Sequence, residues 1–243
     1  MKLENREVSF LKGHEFTSGL VVPLKRPGLT GSENDRLGFL RELVRGKNII
    51  HIGCVDHLPL IEGKRRSGHW LHDILLGSAK LCVGIDINRE GIEHLKSLGI
   101  GNVYTMDMLH DELPAEIKGQ KFDYLVLGEM IEHVDNPVDF LAAVRKKFAG
   151  VARELVTTTP NVFRIQNLIN TLRTREYINS DHRYWFSPYT LAKVLSQAGY
   201  DDVEIDLVWD APLRSGLSGV AKRLIGSAWP ATRDCLIARS HLN

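Results

Sequence analysis

From residue 48 onward the chain alternates short β-rich runs with stretches of helical spacing, and that alternation confines it to a parallel sheet wrapped by helices. The runs that read as strands are 48–53, 81–86, 102–106, 122–128 and 154–158, with two more at 203–209 and 234–238. Runs such as LCVGI and YLVLG are apolar on both faces, as a strand covered by two helical layers must be. Pro137, Leu141, Val144 and Phe148 recur at helical spacing after Asp135-Asn136, a cap with proline in the first turn. A helix over 33–45 leads into the first strand, and another runs from Ser187-Pro188 to Gly199. The polar stretch 161–180 reads as a helix inserted over the carboxyl edge of the sheet. Residues 210–232 are too long for a hairpin loop and carry a short basic amphipathic piece, which suits a substrate lid or a partner surface. Residues 1–32 form an N-terminal extension of low definition, and 33–243 one domain carrying both insertions.

A chain of 243 residues can bury the core of one such α/β domain. Its 31 Lys and Arg against 30 Asp and Glu give a formal charge of +1, so no global field draws it to nucleic acid. The three cysteines, Cys54, Cys82 and Cys235, are odd in number and far apart, which argues against a disulfide framework and for a reducing compartment. The start MKLENREVSF carries charges where a secretory leader needs an apolar run, and no stretch of about 18 apolar residues occurs. The expectation is a cytoplasmic protein with no membrane span.

A strand that ends in glycine and turns into a helix brings backbone N–H groups to the mouth of the sheet, where a ligand can come close. Here that turn reads His51-Ile52-Gly53-Cys54-Val55-Asp56-His57. The second strand ends in Gly84-Ile85-Asp86, where a carboxylate can accept both hydroxyls of a ribose, and the third in Tyr104-Thr105-Met106-Asp107, where another can meet an adenine amino group. Each acid alone also fits a cap or a solvated turn; their regular placement at successive strand ends is the stronger signal.

These pieces, IIHIGC, VGIDIN and VYTMDM, followed by FDYLVLGEMIEHVDNP, ELVTTTPN and DHRYWFSPYTLAKVLSQAGY, resemble the class I S-adenosylmethionine-dependent methyltransferases over roughly residues 33–209. The resemblance implies a Rossmann-like, doubly wound α/β fold with seven strands in the order 3-2-1-4-5-7-6, the last antiparallel. It implies that His51, Gly53, Cys54 and Val55 surround the methionine part of the cofactor S-adenosylmethionine, Asp86 the ribose hydroxyls and Asp107 the adenine, with the neighbouring Ile87 and Met108 also cofactor-binding. Gly128 and Glu129 would stand near the reacting end. One departure is clear: the family usually has an acidic residue followed by three alternating glycines, and this chain offers His51, Gly53, Val55 and His57.

Methyl transfer from a sulfonium is an in-line displacement, so an oxygen acceptor needs positioning and loss of its proton, to a base or through a metal. Glu129-Met130-Ile131-Glu132-His133 follows the fourth strand, with i and i+3 side chains able to share a face, and His182 comes from the DHRYWFS segment. Glu129, Glu132, His133 and His182 suit one divalent cation such as Mg²⁺. That set resembles the small-RNA 3′-terminal 2′-O-methyltransferases, and Glu-x-x-Glu-His alone also resembles ubiquinone-pathway O-methyltransferases. One alternative is that Glu132 and His133 brace the turn while His182 lies beside the pocket; another is that, without metal, His133 or His182 is the catalytic base with Glu129 near the reacting end, and His57 is a weaker third candidate base. Tyr184, Trp185 and Phe186 read either as an acceptor wall or as core, and Asn161, Arg164 and Asn167 either as acceptor contacts or as a solvated helix face. Cys54 reads as a small buried hydrophobe, and the runs 63–66 and 145–147 as solvated charge.

The leading expectation is an O-methyltransferase acting on a small molecule or glycan precursor. The alternatives are a metal-dependent RNA 2′-O-methyltransferase and a catalytically silent scaffold of the same fold.

Overall fold

The computed structural model describes residues 5–24, 35–211 and 217–242. Seven strands form one sheet: β1 Asn48–Ile52, β2 Leu81–Asp86, β3 Val103–Thr105, β4 Phe122–Gly128, β5 Ala152–Pro160, β6 Glu204–Val208 and β7 Cys235–His241. Their order is β3-β2-β1-β4-β5-β7-β6, with β7 antiparallel to both of its neighbours, as the resemblance implied. The helices are α1 Asn5–Lys12, α2 Arg36–Leu43, α3 Leu58–Arg66, α4 Leu71–Ser78, α5 Arg89–Ser97, α6 Ala115–Lys118, α7 Pro137–Phe148, α8 Ile165–Leu172, α9 Pro188–Gln197 and α10 Leu217–Ala228.

Alternate residues of each strand feed two cores, because successive side chains leave a strand on opposite faces. Ile49, Val126 and Val156 pack under Leu40 and Val44 of α2 and Leu75 of α4. Ile50, Leu125 and Leu155 face Leu141 and Val144 of α7 and Leu191 and Leu195 of α9. A third cluster joins Ile61 of α3 to Ile92 and Leu95 of α5 around Trp70 and Cys54. Local chemistry sets the helix starts: Asp35 accepts from the Gly38 amide at 2.9 Å, and Asn136 accepts from the Val138 and Asp139 amides before Pro137. Ser187 and Thr190 close a reciprocal capping box at α9.

Several expectations change in detail. The stretch 58–66, of which the sequence reading gave only the charged run 63–66, is helix α3. The helix expected over 33–45 spans Arg36–Leu43, and its first two expected residues lie outside the described ones. Of the expected 1–32 extension, 1–4 and 25–32 are likewise outside, but α1 docks onto α9. Gln197 donates to the Leu11 carbonyl at 2.9 Å, Lys12 pairs with Asp201 at 2.8 Å, and Leu11 enters the core. Within 210–232, where residues 212–216 are not described, the amphipathic piece is α10, whose Gly226 lies flat against the Trp209 indole.

Candidate active site

The carboxyl ends of β1 to β5 open on one edge, at the switch point between β1 and β4 where ligands of such sheets bind. After β1, Gly53 takes φ of 77°, a left-handed conformation that favours glycine, and a Cβ there would come within 3.1 Å of Met130 Sδ. The Gly53 and Cys54 amides both donate to the Ile85 carbonyl, at 2.8 and 3.3 Å. Val55 stands where the family usually has glycine, and the structure explains its tolerance: the side chain packs on Gly91 of α5, where a Cβ would meet Val55 Cγ1 at 2.3 Å. The missing glycine at one position is matched by a glycine on the facing helix.

Asp86 at the end of β2 accepts from the Val55 amide and the Asn88 amide, each at 2.9 Å, while burial raises its pKa. Each carboxylate oxygen keeps a further lone pair, so the group is oriented without being exhausted. Ile87 beside it is 67 % exposed at the sheet edge. Asp107 caps its own turn, accepting from the Leu109 amide at 2.7 Å and facing His110 Nδ1 at 3.0 Å, and that imidazole holds its pKa down. Met108 is buried in the core, and the exposed side chains of this turn are Leu109 and His110.

His51 occupies the usual acidic position and is buried against His72, Nδ1 to Nδ1 at 3.1 Å. Burial lowers both pKa values, that of His72 to about 4, so a neutral imidazole pair takes the place of a carboxylate. Cys54 is buried and its thiol pKa is pushed up by desolvation, which fits the reading as a small hydrophobe. Gly128 serves packing: a Cβ there would lie 2.2 Å from Leu71 Cδ2.

The turn after β4 begins with Glu129 at φ of 52°, its amide bonded to the Thr158 carbonyl at 3.0 Å. This left-handed residue breaks the helical register that would align Glu129 with Glu132. Its carboxylate turns to Arg36 at the start of α2, 3.2 Å away, and the same guanidinium holds Asp210 at 3.0 Å. Burial raises the Glu129 pKa and Arg36 opposes the rise. Sequence reading missed Arg36, whose one local signal is the Asp35 cap before it.

Glu132, His133 and His182 do come together, with ligand atoms all within 4.8 Å of one another; Glu129 lies outside that group but close enough to raise the Glu132 pKa. Glu132 is fully buried beside Thr159, neither carboxylate oxygen meets a partner at full hydrogen-bond geometry, and burial is the main cause of a pKa raised to about 8. The His133 and His182 rings stand perpendicular at 4.6 Å, both with pKa values lowered by burial, and His182 Nδ1 is also without a partner. The segment carrying His182 is pinned to this turn: the Arg183 amide donates to the Glu132 carbonyl at 2.8 Å, and the Tyr184 hydroxyl to that of Asp135 at 2.7 Å. His57 is exposed and faces Asp181 of the same segment at 3.7 Å.

Phe186 is core, and Asn161 is structural, its amide nitrogen donating to the Ala231 and Arg233 carbonyls at 2.8 Å each. Arg164 lies 4.9 Å from the Trp185 ring centroid, and its Nε donates to Asn167 at 2.9 Å. Among the described residues no helix is long and apolar enough to cross a membrane.

A family model described as a methyltransferase domain matches residues 34–205. No curated protein matches the chain. Among solved structures, the small RNA methyltransferase HEN1 superposes with a TM-score of 0.55 at 19 % identity, over 85 % of this chain and 24 % of that one. This chain therefore spans about a quarter of that protein's length. A SAM-dependent methyltransferase from Thermotoga maritima, described as a possible histamine N-methyltransferase, gives 0.54 at 14 % identity, over 85 % and 87 %. The methyltransferase domain of a bacterial Hen1 gives 0.50 at 17 %, over 85 % and 97 %. At these identities the likeness is one of fold.

Proposed function

The chain belongs to the methyltransferase domain family, and from that premise we propose that it transfers a methyl group from S-adenosylmethionine to a hydroxyl of a small molecule or glycan precursor. The observation that carries the choice of a hydroxyl is the cluster of Glu132, His133 and His182 beside the open edge. A nitrogen acceptor can attack as the free base, whereas a hydroxyl must lose its proton, and two imidazoles kept neutral by burial are suited to take it.

In this reading the Gly53 turn approaches the methionine part of the donor, Asp86 accepts the ribose hydroxyls, and Ile87 and the Asp107 turn border the adenine. Met108 contributes through its backbone, since its side chain is in the core. The Arg36–Glu129 pair holds the turn after β4 in place. The acceptor oxygen forms its bond to the methyl carbon as the carbon–sulfur bond breaks, the electron pair returning to sulfur. The hydroxyl proton passes to an imidazole of the His133–His182 pair. Holding the two reactants in line is worth roughly 7–11 kcal/mol, and no covalent intermediate is required.

The same cluster fits a divalent cation: two oxygens of Glu132 without a partner at full hydrogen-bond geometry and an unpartnered His182 Nδ1 are buried side by side. Glu132, His133 and His182 would hold it, and two imidazoles with one carboxylate suit a first-row transition ion better than Mg²⁺. Such an ion supplies a lowered pKa for a bound hydroxyl. The cluster and the likeness to HEN1 together support a second reading, methylation of an RNA 2′-hydroxyl. The formal charge of +1 speaks against it, and a steep salt dependence of RNA binding would speak for it.

Calorimetric titration of S-adenosylmethionine into the wild type and Asp86→Ala tests the donor site. Micromolar binding, about −8 kcal/mol, weakened at least about tenfold by the substitution, is the expected result. A folded, cofactor-free chain that binds no donor would overturn the reading and leave a silent scaffold. Transfer of labelled methyl groups to hydroxylated acceptors should be lost in His182→Ala.

A further inference from the structure

The segment that carries His182 also walls a cavity of about 430 Å³. Helix α8 and the turn before it supply Phe163, Leu168 and Asn170; the chain that follows supplies Arg175, Tyr177 and Trp185. The size is that of a small-molecule site. Phe163 and Tyr177 leave large parts of their rings uncovered, at 50 % and 68 % exposed.

Asn170 lines the cavity beside the polar side chains of Asn167, Thr171, Arg175 and Glu176. It is 3 % exposed, and its Oδ1 accepts from Arg175 Nε at 3.1 Å, yet its Nδ2 has no hydrogen-bond partner. A buried N–H left in that state is rare, and here it marks the place of an oxygen that the protein does not itself provide. The bond from Arg175 brings a guanidinium to the same wall, so the oxygen is one that tolerates or carries negative charge. Trp185 joins the cavity to the reacting groups: its ring lines the cavity and stands 6.2 Å from the His182 ring at 78°. Its Nε1 donates to Glu176 at 3.0 Å, which fixes the indole as a wall.

We infer that this cavity binds the methyl acceptor, and that the acceptor is a planar ring bearing a hydroxyl and a carbonyl or carboxylate oxygen. The ring lies among Phe163, Tyr177 and Trp185, the oxygen takes the Asn170 Nδ2–H and the Arg175 charge, and the hydroxyl points past Trp185 toward His182. The inference rests on the methyltransferase reading for the acceptor role, while the cavity's preference for an anionic ring is independent of it.

Salicylate, phenol and tyramine present the same ring with a carboxylate, with neither charge, and with a cation. Each is titrated against tryptophan fluorescence in the wild type, Asn170→Leu and Arg175→Gln, with Trp185→Phe identifying the reporting indole. Donor binding is measured on every sample as the check of folding. Saturable quenching by salicylate is expected, with affinity at least about tenfold weaker for phenol and in both variants, and donor affinity unchanged. No saturable response to salicylate in a chain that binds donor overturns the inference. So does equal affinity in both variants, or tighter binding of tyramine. Salicylate binding in a chain that fails to bind donor overturns the methyltransferase reading, and the acceptor role with it.

Discussion

Arg36→Met removes the cation shared by Glu129 and Asp210, which its guanidinium reaches at 3.2 and 3.0 Å. Breaking a buried ion pair from one side costs about 3–5 kcal/mol, because the partner charge stays behind without compensation. The Arg36 side chain is 12 % exposed, but those of Glu129 and Asp210 keep 32 % and 52 % of their surface, so water recovers part of the loss. The lower end, about 3 kcal/mol, is therefore expected. Urea unfolding of the wild type, Arg36→Met, Glu129→Gln and the double variant measures it, with a midpoint shift of about 1 M. Because the two side chains touch, the double-mutant cycle should return a coupling of at least about 1 kcal/mol. The pH dependence has a definite sign. Without Arg36, the Glu129 pKa, already raised by burial, climbs further above its ordinary 4.5. The folded variant then holds a proton that the unfolded chain releases, so its stability falls as pH rises. The deficit at pH 8 should exceed that at pH 5. A loss below about 1 kcal/mol with additive cycles, or one that is equal at the two pH values, would refute the argument.

Gly53→Ala places a methyl in a backbone at φ of 77° and within 3.1 Å of Met130 Sδ; it should cost about 1–2 kcal/mol of stability and weaken donor binding at least about tenfold by calorimetry, and an unchanged donor affinity would exclude the turn from the donor site. Leu11→Ala should destabilise the whole domain by about 2–5 kcal/mol in urea, since Leu11 is 4 % exposed in the main core; a loss under about 0.5 kcal/mol would show α1 to be a surface attachment. Because burial lowers the His133 and His182 pKa values from 6.5, the acid limb of kcat/KM should fall below that pH, and a limb above pH 7 would mean that neither imidazole is the base.

The sheet was legible because its inner strands are buried on both faces and read as unbroken apolar runs. Where that ceased to hold, the reading fell short. Thr157, Thr158 and Thr159 are fully buried in β5, yet the strand expected over 154–158 stops short of Thr159, because a threonine before Pro160 reads as the start of a turn. The far end of β7 is Arg239, Ser240 and His241, and Arg239 earns its place there through Glu204 at 3.2 Å and Asp206 at 3.6 Å. Helix α1 is held by tertiary contacts to α9 that no local pattern announces. At the site, three of the four expected Glu and His residues converge. The fourth, Glu129, is set by a backbone angle and by an arginine from another part of the chain, and spacing carries neither. The cavity partners Asn170, Arg175 and Tyr177 were hidden for the same reason, since a polar stretch does not tell which of its amides will be buried.

The insertion of β7 between β5 and β6 has a consequence for the order of synthesis. A nascent chain that has emerged only through β6 has no place in the sheet for that strand, and β5 is left as an open edge of unpaired backbone groups. The Asn161 amide, which donates to the Asp234 carbonyl at 2.9 Å, and the Asn161 side chain, held by the Ala231 and Arg233 carbonyls, also wait for residues made later. The half of the edge built on β1, β2 and β3 needs none of these partners. On the ribosome the two halves therefore mature at different times, and the interval between them is when the exposed edge of β5 is open to misassembly and to chaperones.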